Sequence, residues 1–109
     1  TVTVGAGTIV MAHAAINADA VLGRGVIVNT GAIVEHDCFV GDFAHLSPRS
    51  VMGGESRVGA GAQLGIGATL LPRTSIGDRS LVGAGAAVVR DVPPDVVATG
   101  VPARPRRAT

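Results

Sequence analysis

The chain has 109 residues, 47% of them hydrophobic but only 2% aromatic, and a formal charge of +1. These values fit one domain with a narrow aliphatic core, since large side chains normally fill a wide one. So small a net charge excludes a strong field toward nucleic acid or an anionic membrane. Cys38 is the single cysteine. It excludes an internal disulfide and fits a reducing compartment, so a cytoplasmic protein is expected. No apolar run approaches the roughly 20 residues that span a bilayer, and no signal-peptide pattern is visible.

From Val4 the chain divides into fifteen consecutive hexads without insertion, covering residues 4–93. The first begins VGAGTI, the sixth is VEHDCF, and the last is VVRDVP. Position one is aliphatic or Met in every hexad, and position five is Ala, Ser, Thr, Cys or Val. Position five and the next position one are two residues apart, so on a strand they point the same way, into a core. Position two is Gly or Asn in ten hexads, which places a left-handed corner there. Each hexad is then a short strand and a turn. Stacked coils about 4.8 Å apart would bury together what no single repeat buries alone.

The hexads resemble those of left-handed β-helix acyltransferases, in which three hexads make one triangular coil. The resemblance implies an all-β, left-handed parallel β-helix of about five coils over residues 1–93. Such left-handed crossovers depart from the usual right-handed rule. Residues 94–109 would form a C-terminal cap and basic tail, starting where Pro93 and Pro94 lack the N–H groups that strand pairing needs.

Within this frame residues 33–45, IVEHDCFVGDFAH, gather two of the three histidines and three of the eight acidic residues. His36 occupies position three, on a corner, between Glu35 and Asp37. A carboxylate beside an imidazole holds one tautomer and stabilises the protonated ring, and a ring that is mostly neutral at pH 7 suits a general base. Cys38 sits at an inward position and is read as packing. His13 has no motif around it and is read as solvated.

The run EHDCFVGDFAHLSP is similar to the catalytic-histidine segment of bacterial sugar acetyltransferases. These are the sialic acid O-acetyltransferases and the N-acetyltransferases of UDP- or GDP-linked 4-amino sugars. The likeness extends from about Asn17 through GVPAR at 100–104. It implies that His36 is the general base and Asp37 its partner, with Glu35 the alternative. It implies that His45 contacts acetyl-CoA, that the Gly54 N–H binds the thioester carbonyl, and that Ile66 and Ala84 border the pantetheine arm. Asn29 is either near the acceptor or a plain left-handed corner. The tail arginines Arg104, Arg106 and Arg107 either meet CoA phosphates or are solvated.

The implied activity is acetyl transfer from acetyl-CoA to the amine of a nucleotide-linked amino sugar, with no metal required. O-acetylation of sialic acid and a catalytically silent solenoid are the alternatives. The three histidines are 23 and 9 residues apart, unlike a zinc-binding solenoid carbonic anhydrase. Sugar acetyltransferases usually carry an N-terminal sugar-nucleotide domain. A chain that opens at Thr1 with no βαβ pattern is therefore expected to be either a trimmed C-terminal domain of such an enzyme or one whose solenoid alone holds the acceptor.

His36 and His45 lie half of an eighteen-residue coil apart, hence on opposite sides of a narrow prism. Ile66 and Ala84 fall nearer His45. A homotrimer is expected, with His36, Asp37 and Gly54 from one protomer meeting His45, Ile66 and Ala84 of the next.

Overall fold

The computed structural model describes residues 1–109. Fifteen two-residue strands, from Thr3–Val4 to Ala87–Val88, each occupy positions six and one of consecutive hexads. Every strand pairs in parallel with the strand eighteen residues away, as in Thr3↔Val21, Ile27↔His45 and Ile33↔Val51. Three sheets result, of five, seven and five strands, and they form the faces of a triangular left-handed prism. The first sheet carries Phe39 and Arg57, the second His45 and Gln63, and the third Ile33 and Val51. We call the corner from first to second sheet the first edge, from second to third the second edge, and from third back to first the third edge.

Positions five and one point inward as expected. Leu22, Leu46, Met52, Leu64 and Leu70 are among the largest buried side chains, and no aromatic joins them. The inward hydroxyls find partners on the backbone: Ser50 donates to the Ser47 carbonyl at 2.8 Å and Thr74 to that of Leu71 at 2.7 Å. Cys38 is buried, with its Sγ 3.2 Å from the Gly53 carbonyl. It packs, as the hexad predicts.

The left-handed corner residue is at position four, not position two. In the first fourteen hexads this residue has φ between 57° and 75°, whether it is Gly7, Gly31, Asp37 or Arg79. Glycine at position two has another cause. A Cβ on Gly5 would lie 2.5 Å from the backbone of Gly23, and one on Gly41 would lie 2.5 Å from the amide of Ala60. The next coil leaves no room for a side chain there.

The two ends differ. The prolines end the first sheet, whose last contact is the single bridge Ile76↔Val92. Pairing resumes on the second sheet, where Val96–Thr99 adds in parallel to Leu81–Val82. Arg104–Ala108 then folds back antiparallel on it, so the basic tail is an ordered strand. At the other end Thr1–Thr3 do not cover the first coil. Thr3 is itself in the first strand, and the inward residues Val4 and Val10 stay 46% exposed.

Candidate active site

His36 projects from the third edge because position three lies at the outer bend of the coil. The left-handed φ of Asp37, 57°, turns its carboxylate back beside the ring, where Oδ2 lies 3.0 Å from His36 Nδ1. That carboxylate holds the Nδ1 proton and leaves Nε2 as the basic nitrogen. The Asp37 hydrogen bond lifts the imidazole pKa above its ordinary value. Partial desolvation opposes the shift, and the charges of Asp37, Glu55 and Glu35 add to it.

Glu35, the alternative partner, is engaged elsewhere: its Oε1 accepts from Asn17 Nδ2 at 3.0 Å. Glu55 was not singled out in the sequence. It stands eighteen residues beyond Asp37, directly below it on the same edge, and Asn17 stands eighteen before Glu35. The coil period alone would have found both.

Gly54 lies one coil below His36. A Cβ there would collide with the imidazole, 2.8 Å from Cε1 and 3.1 Å from Cδ2. Its φ is not left-handed, so the absent side chain serves only to seat the ring. The Gly54 N–H donates to no protein acceptor, whereas its carbonyl accepts from Arg73. A free amide donor therefore belongs to the residue on which the ring is seated.

A second group of residues lies across the prism. His45 is on the outer face of the second sheet, half-buried, and the Asn29 Nδ2 is 3.2 Å from its Nε2. Asn29 Oδ1 also accepts from the Thr30 amide at 2.8 Å, and the left-handed residue of that corner is Gly31. Asn29 is thus an orienting partner of His45, not a left-handed corner. Ile66, 61% exposed, and Ala84 lie one above the other on the second edge, with their N–H groups unused by the protein. The fold brings His36, Asp37 and Gly54 together, and separately Asn29 and His45 near Ile66 and Ala84. One protomer does not join the two groups, because the third edge lies opposite the second sheet.

Comparison with solved structures identifies the architecture. PerB from Caulobacter crescentus, solved with CoA and GDP-perosamine, is 50% identical over 96% of this chain, with a TM-score of 0.96. The acetyltransferase domain of PglB from Neisseria gonorrhoeae, solved with acetyl coenzyme A, is 41% identical over 96%, with a TM-score of 0.95. The resemblance to sugar acetyltransferases is borne out. The N. gonorrhoeae serine acetyltransferase CysE fits less well, at 31% identity over 83% of this chain and a TM-score of 0.77. This chain spans about half of the sugar acetyltransferases it matches, 51% of each of the two above. No family model matches it. No helix is long and apolar enough to cross a membrane.

Proposed function

We propose that this chain carries the transfer centre of an acetyl-CoA-dependent N-acetyltransferase acting on a nucleotide-linked amino sugar. The observation that carries this reading is the His36 ring, tied to Asp37 through Nδ1 and seated over Gly54 with Nε2 unpaired. In the reaction the acceptor amine attacks the thioester carbonyl, forming the C–N bond, and Nε2 takes the amine proton. The carbonyl becomes an oxyanion, and the Gly54 N–H is the donor positioned to stabilise it. Collapse breaks the C–S bond, and the His36 proton passes to the leaving CoA thiolate. Asp37 stabilises the imidazolium between those steps. No covalent enzyme intermediate is required. The likeness to a protein solved with GDP-perosamine supports an amine acceptor over the hydroxyl of sialic acid.

The half-sites are completed by a neighbouring protomer. The outer face of the third sheet presents Ala15, Ile33, Val51, Thr69 and Ala87, uncharged and mostly aliphatic residues suited to packing around a threefold axis. With that sheet inward, the third edge of one protomer meets the second edge of the next. His36, Asp37 and Gly54 then face His45, Ile66 and Ala84 of the neighbour, and acetyl-CoA lies between. A cavity of about 370 Å³ by the C-terminal strand, holding Arg90 and Arg104, receives the CoA phosphates further along the same edge.

The test is thiol release from acetyl-CoA in the presence of GDP-perosamine, together with light scattering. Turnover by a trimer is the expected result. An active monomer would overturn the shared site. Mixing His36→Ala with His45→Ala protomers should restore part of the activity, because some interfaces then carry both histidines.

A further inference from the structure

Every acidic residue but one holds a partner within the protomer. Asp42, Asp78 and Asp91 accept from backbone amides, and Glu35 accepts from Asn17. Asp37 is held on His36, Asp95 on Arg79 and Asp19 beside the Thr1 nitrogen. The exception is Glu55, exposed at position four of the third edge, directly below Asp37. Arg73, one coil further along that edge, forms no ion pair with it.

The second edge offers the counterpart. Its turns, residues 11–14, 29–32, 47–50, 65–68 and 83–86, contain no acidic residue and one arginine, Arg49. The third-edge turns, residues 17–20, 35–38, 53–56, 71–74 and 89–92, contain five acidic residues against two arginines. Arg49 is exposed, and its guanidinium has no carboxylate within ion-pairing distance. Its stem lies over Gly31, where a Cβ would be 3.4 Å from the Arg49 Cγ. Gly31 and Gly67, one coil before and one coil after, carry no side chain to engage the head group.

We infer that Arg49 of one protomer pairs with Glu55 of the next, across the cleft between His36 and the neighbour's His45. This rests on the shared-site trimer proposed above, in which the second edge of one protomer meets the third edge of another. Height along the prism selects Glu55 among the acidic residues. A threefold axis parallel to the prism leaves every residue at its own height. The chain rises about 4.8 Å per coil, hence about 1.6 Å per hexad. Arg49 and Glu55 are one hexad apart, whereas Arg49 and Asp37 are two. Both side chains leave position four of a corner, with φ of 58° and 62°, so a lean along the axis displaces them alike. The pair fixes the edge that carries His36 against the edge beside the neighbour's His45.

Sedimentation of the full chain over a dilution series, with acetyl-CoA titrated in parallel, tests the pair. Arg49→Glu sets two carboxylates against each other at every interface. An exposed pair is worth up to about fivefold in equilibrium constant, which three interfaces compound to about tenfold or more in the concentration of half-dissociation. Glu55→Arg should do the same, and the double reversal Arg49→Glu with Glu55→Arg should recover most of the loss. Single reversals that leave assembly unchanged overturn the pair, as does a double reversal no better than the sum of the singles. Weaker acetyl-CoA binding by an Arg49→Glu trimer that assembles as before would assign Arg49 to the ligand, and overturns the pair too. If the trimer outlasts dilution, a bismaleimide too short to span one face of the prism decides. A chain with Arg49→Cys and Glu55→Cys should then link between protomers, since Cys38 is buried, and no cross-link overturns the pair. A wild-type chain that is monomeric throughout overturns the shared site and the pair together. Wild-type trimers indifferent to every reversal overturn the pair alone.

Discussion

Position three of the hexad does opposite things on two edges of the same prism. On the first edge Asp42 and Asp78 fold back and accept from the amides of Arg24 and Ala60, one coil earlier. There the side chain satisfies the solenoid's own backbone, and the aspartates lie against Gly23 and Gly59. On the third edge His36 lies instead against Gly54 of the following coil, and its outer nitrogen and the glycine amide are both left unsatisfied. The backbone is the same in both places. Position-three amides are unused on the first edge too, at Asp42 and Asp78. What sets the third edge apart is that the free amide belongs to Gly54, the residue on which an imidazole with an unpaired nitrogen is seated.

The largest expected effect is at the proposed base, His36. His36→Ala should reduce kcat on the order of a hundredfold or more, since general-base catalysis is worth that much. The side chain is 57% exposed and fills no core volume, so the unfolding transition should not move. Full turnover by this variant would reduce the third edge to the status of the first.

Gly54→Ala is the next test, and it leaves every polar group in place. The added methyl meets the imidazole, so the ring must swing off its seat. Misplacing a catalytic group by an ångström costs up to about a hundredfold, so a kcat loss of roughly tenfold to a hundredfold is expected. Equivalent activity in Gly54→Ala would show that the ring does not work from this position.

Asp37→Asn tests the electrostatics. His36 must be neutral to accept a proton, so activity falls as pH drops through its pKa. Asp37 raises that pKa, chiefly by its hydrogen bond. Removing the charge should therefore shift the acidic limb of kcat/KM to lower pH. Activity at the optimum should fall about tenfold, because the imidazolium formed during transfer loses its stabilising partner. Glu35→Gln should shift the limb in the same direction but less, since Glu35 bonds Asn17 and acts on the ring only through its charge. A larger effect from Glu35→Gln would reverse the two roles.

The hexad made the fold legible because inward positions recur at fixed spacing, and a strand period needs no knowledge of its neighbours. His36 and its flanking carboxylates were legible for the same reason: they are adjacent in the chain. What escaped was contact across coils. Position two looked like the left-handed corner because glycine is the usual left-handed residue, yet Gly5 and Gly41 are glycine to let the next coil approach. Asp37, Arg79 and Phe43 take the left-handed corners instead. Nothing within one hexad distinguishes those two reasons for glycine. The hydrogen bond that draws Glu35 away from the ring likewise comes from eighteen residues away, from Asn17.

The smallest effect belongs to the first edge, and it measures what the paired arrangement contributes. Asp78→Ala removes the acceptor of the Ala60 amide and should lower stability by about 1 kcal/mol, the usual net value of one such hydrogen bond. Asp78→Asn keeps a side-chain oxygen in the same place and should recover most of that loss. Denaturant unfolding of the two variants separates the hydrogen bond from the charge: if Asn is as destabilising as Ala, the carboxylate's charge rather than its acceptor geometry holds the edge. No matching stability loss is expected for His36→Ala, because the imidazole satisfies no backbone amide. A common loss at both edges would mean that the third edge, too, is held by its position-three side chain.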